Sequence, residues 1–153
     1  MKGSIASLCI VIALAGAPAR AGIALESRVL KADAAKTAGG ETRTFVPATK
    51  AIPGDPMVYV LSYRNTGAQP VADVVLDSPV PATMVYRGAG TGTEPEVSID
   101  GIRFGRLTDL TVTGPSGVSR PARLSDVVHV RWRIAMPVQP GAAGQVSFHA
   151  VLR

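Results

Sequence analysis

The stretch PGDPMVYVLSYRNTG, Pro53 to Gly67, starts as a turn, continues on β-formers and stops at Asn-Thr-Gly. Pro53-Gly54-Asp55-Pro56 is a turn by composition, because proline presets φ and glycine permits positive φ. Met57 to Tyr63 then alternates. Tyr59, Leu61 and Tyr63 fall on one face of a strand, and Val58, Val60 and Ser62 on the other. Arg64 leaves the pattern. Asn65-Thr66-Gly67 is predicted to end the strand in left-handed geometry, which Asn and Gly tolerate best. It is not a glycosylation sequon, since Gly67 stands where Ser or Thr is required.

Working outward, the same grammar recurs. Toward the N-terminus, Gly22–Asp33 reads as a strand and Ala32–Thr42 as a loop or hairpin tip. Thr44–Pro47 and Ala51-Ile52 read as short extended pieces at an edge, because Pro47 cannot donate to a ladder. Toward the C-terminus, Val71–Leu76 and Met84–Tyr86 read as strands. Val97–Ile99, Asp100-Gly101 and Ile102–Phe104 read as a hairpin with a two-residue turn. Leu110–Thr113 precedes a Gly114–Gly117 turn. In Val127–Met136, Val128, Val130, Trp132 and Ile134 share one face, and His129, Arg131 and Arg133 the other. After a Pro140–Gly144 turn, Val146, Phe148, Ala150 and Leu152 return on one face. Trp132, the only tryptophan, is expected in the core. Seven to nine short strands and no convincing helix predict an all-β, immunoglobulin-like antiparallel β-sandwich. The 16 glycines and 12 prolines suit such a turn-rich chain.

Residues 1–21 are read apart from this domain. Met1-Lys2 is basic, Ile5 to Ala17 is almost wholly apolar, and Ala19-Arg20-Ala21 closes the segment. That is the pattern of a secretory signal peptide cut after Ala21, and the apolar run is too short for a span. Cys9 lies inside it and is not read as a lipoprotein cysteine. Residues 22–153 then form a single β-sandwich domain without cysteine, so the core alone must stabilise it in an oxidising compartment. Loss of Lys2 and Arg20 leaves 14 basic against 11 acidic residues, a charge of +3. The arginines are scattered without interleaved aromatics, which argues against a nucleic-acid partner.

Pro53-Gly54-Asp55, Tyr59, the Tyr63-x-Asn65-Thr66-Gly67 ending, Val74-x-Leu76-Asp77-x-Pro79-x-Pro81, Trp132 and Pro140-Gly141 together resemble the DUF11 repeat domain. That family, of unknown function, occurs in bacterial and archaeal surface and exported proteins. The resemblance covers residues 53–153. It implies an immunoglobulin-like sandwich outside the cytoplasm, periplasmic or extracellular, and no catalytic residues. The Val97–Phe104 hairpin and Arg120–Arg123 are elaborations on its pattern.

Candidate chemistry is sparse. His129 and His149 should face outward on the last two strands, with His149 opposite Ala135 and His129 six positions away, about 20 Å. That is too far to share a metal. Ser125, Asp126 and His129 lie within five residues of an extended chain and cannot fold onto each other as a triad. Gly114-Pro115-Ser116-Gly117 lacks nucleophile-elbow spacing. The glycines of 88–92 are followed by Glu94-Pro95-Glu96 and a strand, so a phosphate cradle lacks its helix. Asp55, Asp77 and Asp100 stand at turns for local reasons and lack calcium-loop spacing. Gln145–Leu152, the terminal strand, reads as a closed, well-paired strand with His149 and Arg153 as solubilising charges, or alternatively as an open edge that could accept a partner's strand.

These readings predict an exported, non-enzymatic structural or interaction module of the cell envelope. No metal or cofactor is expected, and no stable membrane span once the signal is cut. A pilus-type chaperone or subunit using strand donation, or a small ligand-binding domain, is the alternative.

Overall fold

The computed structural model describes the backbone of residues 22–37, 40–47 and 51–153, and the side chains of 22–31 and 51–153. The signal-peptide reading of residues 1–21 lies outside them. The strands are β1 (Ile23–Thr37), β2 (Gly40–Pro47), β3 (Pro56–Asn65), β4 (Val75–Pro79), β5 (Met84–Ala89), β6 (Glu96–Ser98), β7 (Thr111–Thr113), β8 (Ser119–Pro121), β9 (His129–Arg133) and β10 (Ala143–Leu152). Among the described residues there is no α-helix, only 3₁₀ turns at Leu107–Asp109 and Leu124–Asp126. No helix among them is long and apolar enough to cross a membrane.

The expected all-β, antiparallel sandwich is what the chain forms. One sheet runs β2-β1-β3-β10-β5, the second β4-β9-β6, and β7-β8 form a separate ribbon. Alternation decides which faces meet. Tyr59 and Leu61 of β3, with Val146, Phe148 and Ala150 of β10, turn inward onto Leu76 of β4 and Val130 and Trp132 of β9. Phe148 is the hub. It stacks on Tyr59, its partner across the ladder, at 4.7 Å between ring centroids, and meets Tyr86 at 5.9 Å and Trp132 at 6.3 Å. Full burial of an aromatic side chain contributes about 2–3 kcal/mol by area, and these offset contacts add to it. Trp132 is fully buried, as expected of the core anchor.

The links β3→β4 and β9→β10 pass between the sheets side by side, and Asn65 joins them. Its side chain is 0% exposed. The amide nitrogen donates to the carbonyls of Gln69 (2.7 Å) and Val138 (2.8 Å), and the amide oxygen accepts from the Gly67 N–H. Its backbone also bonds Gly141 and Ala142. This corrects the reading of the Asn-Thr-Gly ending. Neither Asn65 nor Gly67 adopts positive φ. The asparagine is there because its side chain closes the turn and satisfies a buried carbonyl of the other link.

Other expectations change for related reasons. Val71–Leu76 is not one strand. Val71 makes an isolated bridge to Val138, and Asp73, at φ 53°, bends the chain before β4 begins at Val75. The Asp100-Gly101 turn exists, with Gly101 at φ 76°, but the hairpin ladder shrinks to a Val97–Gly105 bridge. The Asp100 carboxylate takes the N–H groups of Ile102 and Arg103, and the Ser98 hydroxyl accepts from Gly101. These local bonds replace a ladder. Of the loop or hairpin tip expected over 32–42, the hairpin forms, with longer arms: β1 and β2 pair from Leu30↔Pro47 to Thr37↔Gly40. The short strand β8, Ser119–Pro121, carries no strand signal in the sequence.

The largest correction concerns the last two strands. They do not pair, and His149 does not face Ala135. β9 lies between β4 and β6, and β10 lies between β3 and β5. Side by side in one sheet, Trp132 and Phe148 would share a face; in opposing sheets their apolar faces cover each other. Consequently β10 is an inner strand, bonded on its second side from Ser147 to Leu152, so the closed-strand reading of Gln145–Leu152 holds and the open-edge reading does not.

Candidate interaction surface

The predicted chemical residues are placed apart. His129 Nδ1 lies 2.9 Å from Asp77 Oδ1, while Arg131 donates to Asp77 Oδ2 at 2.6 Å. The Arg131 guanidinium also caps the Phe104 ring, 3.4 Å from its centroid. Burial opposes ionisation of Asp77, but the bonds from His129 and Arg131 outweigh it and hold its carboxyl below the usual range. Asp126 turns away from His129 and receives a two-pronged hydrogen bond from Arg120, at 2.6 and 2.8 Å. That pair, with the Arg123 N–H, lowers the Asp126 pKa to about 2. Ser125, Asp126 and His129 therefore do not converge.

The three turn aspartates are likewise separate. Asp55 accepts from the Ile52 N–H and pairs with Lys31 at 2.9 Å. Asp100 is bound by its own loop, whose N–H groups hold its carboxyl far below the usual range. Among the described residues no three His, Cys, Asp or Glu side chains stand together as a metal cage. His149 is exposed on β10, between Val58 of β3 and Gly88 of β5.

What the structure does assemble is a face. The outer side of β1, β3 and β10 consists of cross-strand rows: Leu30–Val58–His149, then Arg28–Val60–Ser147, then Glu26–Ser62–Gln145. The outer face of an antiparallel sandwich is ordinarily polar. Here β3 is apolar on both faces, and Val58 is only 6% exposed. The chain leaving β5 forms a rim: Thr91 bonds Ser147 through its N–H (2.8 Å) and its hydroxyl (3.0 Å). Gly90 is needed there, because a Cβ would run into the Ser147 hydroxyl. The result is a concavity of about 440 Å³, apolar at Leu30, Val58 and Val60, flanked by Arg28 and His149, and polar toward Ser62 and Gln145. That volume falls in the range of ligand and peptide sites. The sequence signal was the unbroken apolar run Met57–Leu61, which one-sided burial does not require.

A second surface adjoins it. Comparison with family models, with curated proteins and with solved structures finds no match to this chain. The surface must therefore be read from its own geometry. Strand β1 pairs with β3 over Ile23–Lys31 and with β2 only from Leu30 onward. Among the described residues, no strand pairs with Ile23–Val29 on the side away from β3. Residues 24 to 28 are exposed, and Leu25, on the inner side, is 53% exposed.

Proposed function

We propose that this protein is an exported, non-enzymatic interaction module of the cell envelope, an immunoglobulin-like domain of the DUF11 kind. The observation that carries the reading is the outer face of β3, where Val58 and Val60 line a concave surface instead of a solvated one. A domain whose Ser125, Asp126 and His129 do not converge and whose distinctive surface is an amphipathic concavity is suited to holding a partner. The leader-like residues 1–21 and the DUF11-like motif order support export.

The test is crosslinking and capture from intact cells with the tagged full chain, beside a Val60→Glu variant. The reading expects a reproducible envelope partner that Val60→Glu loses while its melting temperature stays within a few degrees. Capture of no partner by either protein overturns it.

The same concavity favours a second reading, a small ligand-binding domain. An elongated amphipathic molecule would lie with its apolar end on Leu30 and Val58 and its polar end toward Ser62 and Gln145. Direct calorimetric titration with amphipathic ligands separates this from a protein partner.

A further inference from the structure

The side of Ile23–Val29 away from β3, which no strand among the described residues pairs with, has a definite polarity. The Thr66 N–H donates to the Gly22 carbonyl at 3.0 Å, and Gly22 stands one register step before the Ile23↔Asn65 pair. Polar backbone groups alternate sides along a strand. Hence Gly22, Ala24, Glu26 and Arg28 turn their N–H and C=O groups toward β3. Ile23, Leu25, Ser27 and Val29 turn theirs outward. Asn65 supports this parity, since its backbone groups go to Gly141 and Ala142 on the β10 side.

Natural edges of this length are blunted by proline, by charges, lysine above all, or by a bulge, and the two charges here, Glu26 and Arg28, are paired with each other. Ile23–Val29 contains no proline or lysine and pairs with β3 in unbroken register. Its side chains are also self-complementary. Leu25 and Val29 share the inner side, whereas Glu26 and Arg28 share the outer side and already pair at 2.8 Å. Turned antiparallel about a two-fold axis at Ser27, the segment sets Leu25 against Val29 of a second copy and Glu26 against Arg28. It also aligns the outward-facing N–H and C=O groups of Leu25, Ser27 and Val29. Pairing centred on Glu26 would instead oppose two glutamates.

We propose that the Leu25–Val29 edge of β1 joins two copies of this chain through antiparallel β1–β1 pairing centred on Ser27, making one sheet continuous across the dimer. This deepens the reading of the domain as an interaction module and rests on it. The contact is narrow, so the dimer is weak and concentration-dependent. Beyond Val29 each copy meets the terminal Pro47 of β2, which stands opposite Leu30 and has no N–H to bond there. That end of the contact is the one that yields.

The experiment uses the full chain, processed by an exporting cell, in a Cys9→Ser background. Directly opposed, hydrogen-bonded residues lie about 5.5 Å apart at Cα, within disulfide reach. Ser27→Cys should oxidise to a covalent dimer faster than Leu25→Cys, Glu26→Cys or the loop control Ser116→Cys. Sedimentation equilibrium should show a monomer–dimer balance that Leu25→Lys weakens about tenfold or more. A chain that stays monomeric to about 1 mM, with Ser27→Cys no faster than the loop control, overturns the proposal. Fastest crosslinking at Leu25 or Glu26 overturns the Ser27 register. Envelope capture by a protein that does not dimerise sinks this inference and leaves the interaction reading standing. Dimerisation without any captured partner does the reverse.

Discussion

The side-chain amide of Asn65 donates to the carbonyl of Val138 at 2.8 Å, joining two inter-sheet links that lie 73 residues apart. The amide is fully buried, and the Val138 carbonyl it reaches also accepts the Val71 N–H at 3.0 Å, so both links converge on one oxygen. One neutral amide thus ties the two links together, beside the Val71–Val138 bridge and the backbone bonds of Asn65 to Gly141 and Ala142.

Substituting Asn65 should therefore be costly in a chemically specific way. Asn65→Ala removes the donor to Gln69 and Val138 and the acceptor of the Gly67 N–H, and should lower stability by about 1–3 kcal/mol in urea unfolding. Asn65→Asp is similar in size, but an ionised carboxylate cannot donate to Gln69 or Val138. Its folded-state pKa should be raised, so whatever stability remains is present at low pH and is lost as pH rises past the ordinary Asp range, about 4. A variant equally stable at pH 4 and pH 8 would contradict this role.

Trp132 offers a second test. It is fully buried on Phe148, and its indole N–H has no hydrogen-bond partner among the described residues. Trp132→Ala should cost about 3–5 kcal/mol. Trp132→Phe should cost much less, because it keeps the ring stack and removes an unpaired donor. Thermal melts read both, and an unchanged melting temperature in the alanine variant would remove Trp132 from the core. In the parent protein, tryptophan emission should start blue-shifted and move red on unfolding.

Gly144 stands directly opposite Tyr63, whose ring lies over it. A Cβ at 144 would strike the phenol. Gly144→Ala should destabilise by about 1–3 kcal/mol, as overpacking does. In a Tyr63→Ser background the same change should be nearly neutral. A double-mutant cycle measures the difference, and additive effects would show that the ring does not need the glycine.

Acid should weaken the fold through Asp126. Its folded pKa, about 2, lies below the unfolded value near 4. Its contribution is thus complete above about pH 4 and is lost as pH falls through about 2. Asp126→Asn should flatten the pH dependence of stability in that window and leave stability at pH 7 lower than the parent. An unchanged slope between pH 4 and 2 would mean that the Arg120 pair, which is part-exposed, is screened into insignificance.

Much of this fold was legible because its signals are local. Met57–Tyr63, Val130–Trp132 and Val146–Ala150 alternate with period two, and a buried face writes that period directly into the chain. The glycines at 54, 101, 117 and 141 mark positive φ, a property of one residue. The candidate surface was far less legible. Val58 and Val60 were assigned to the face away from Tyr59, but nothing local says that this face is concave, or that Thr91 will rim it from β5. Likewise Asp77 could be read as a turn residue, whereas its bonds to His129 and Arg131 come from 52 and 54 residues away.

By itself, then, the sequence determined the all-β class, most strand positions, the core side chains and the turns. Tertiary structure alone decided which strands are neighbours. It placed β10 inside a sheet and not at its edge, separated β9 from β10, made Asn65 a joint between two links, and left Ile23–Val29 without a second strand partner among the described residues. The physical reason is that alternation specifies which face of a strand is buried but not against what. Pairing is chosen by packing opposed apolar faces and by satisfying buried polar groups across long stretches of chain. Those terms exist only once the strands have come together.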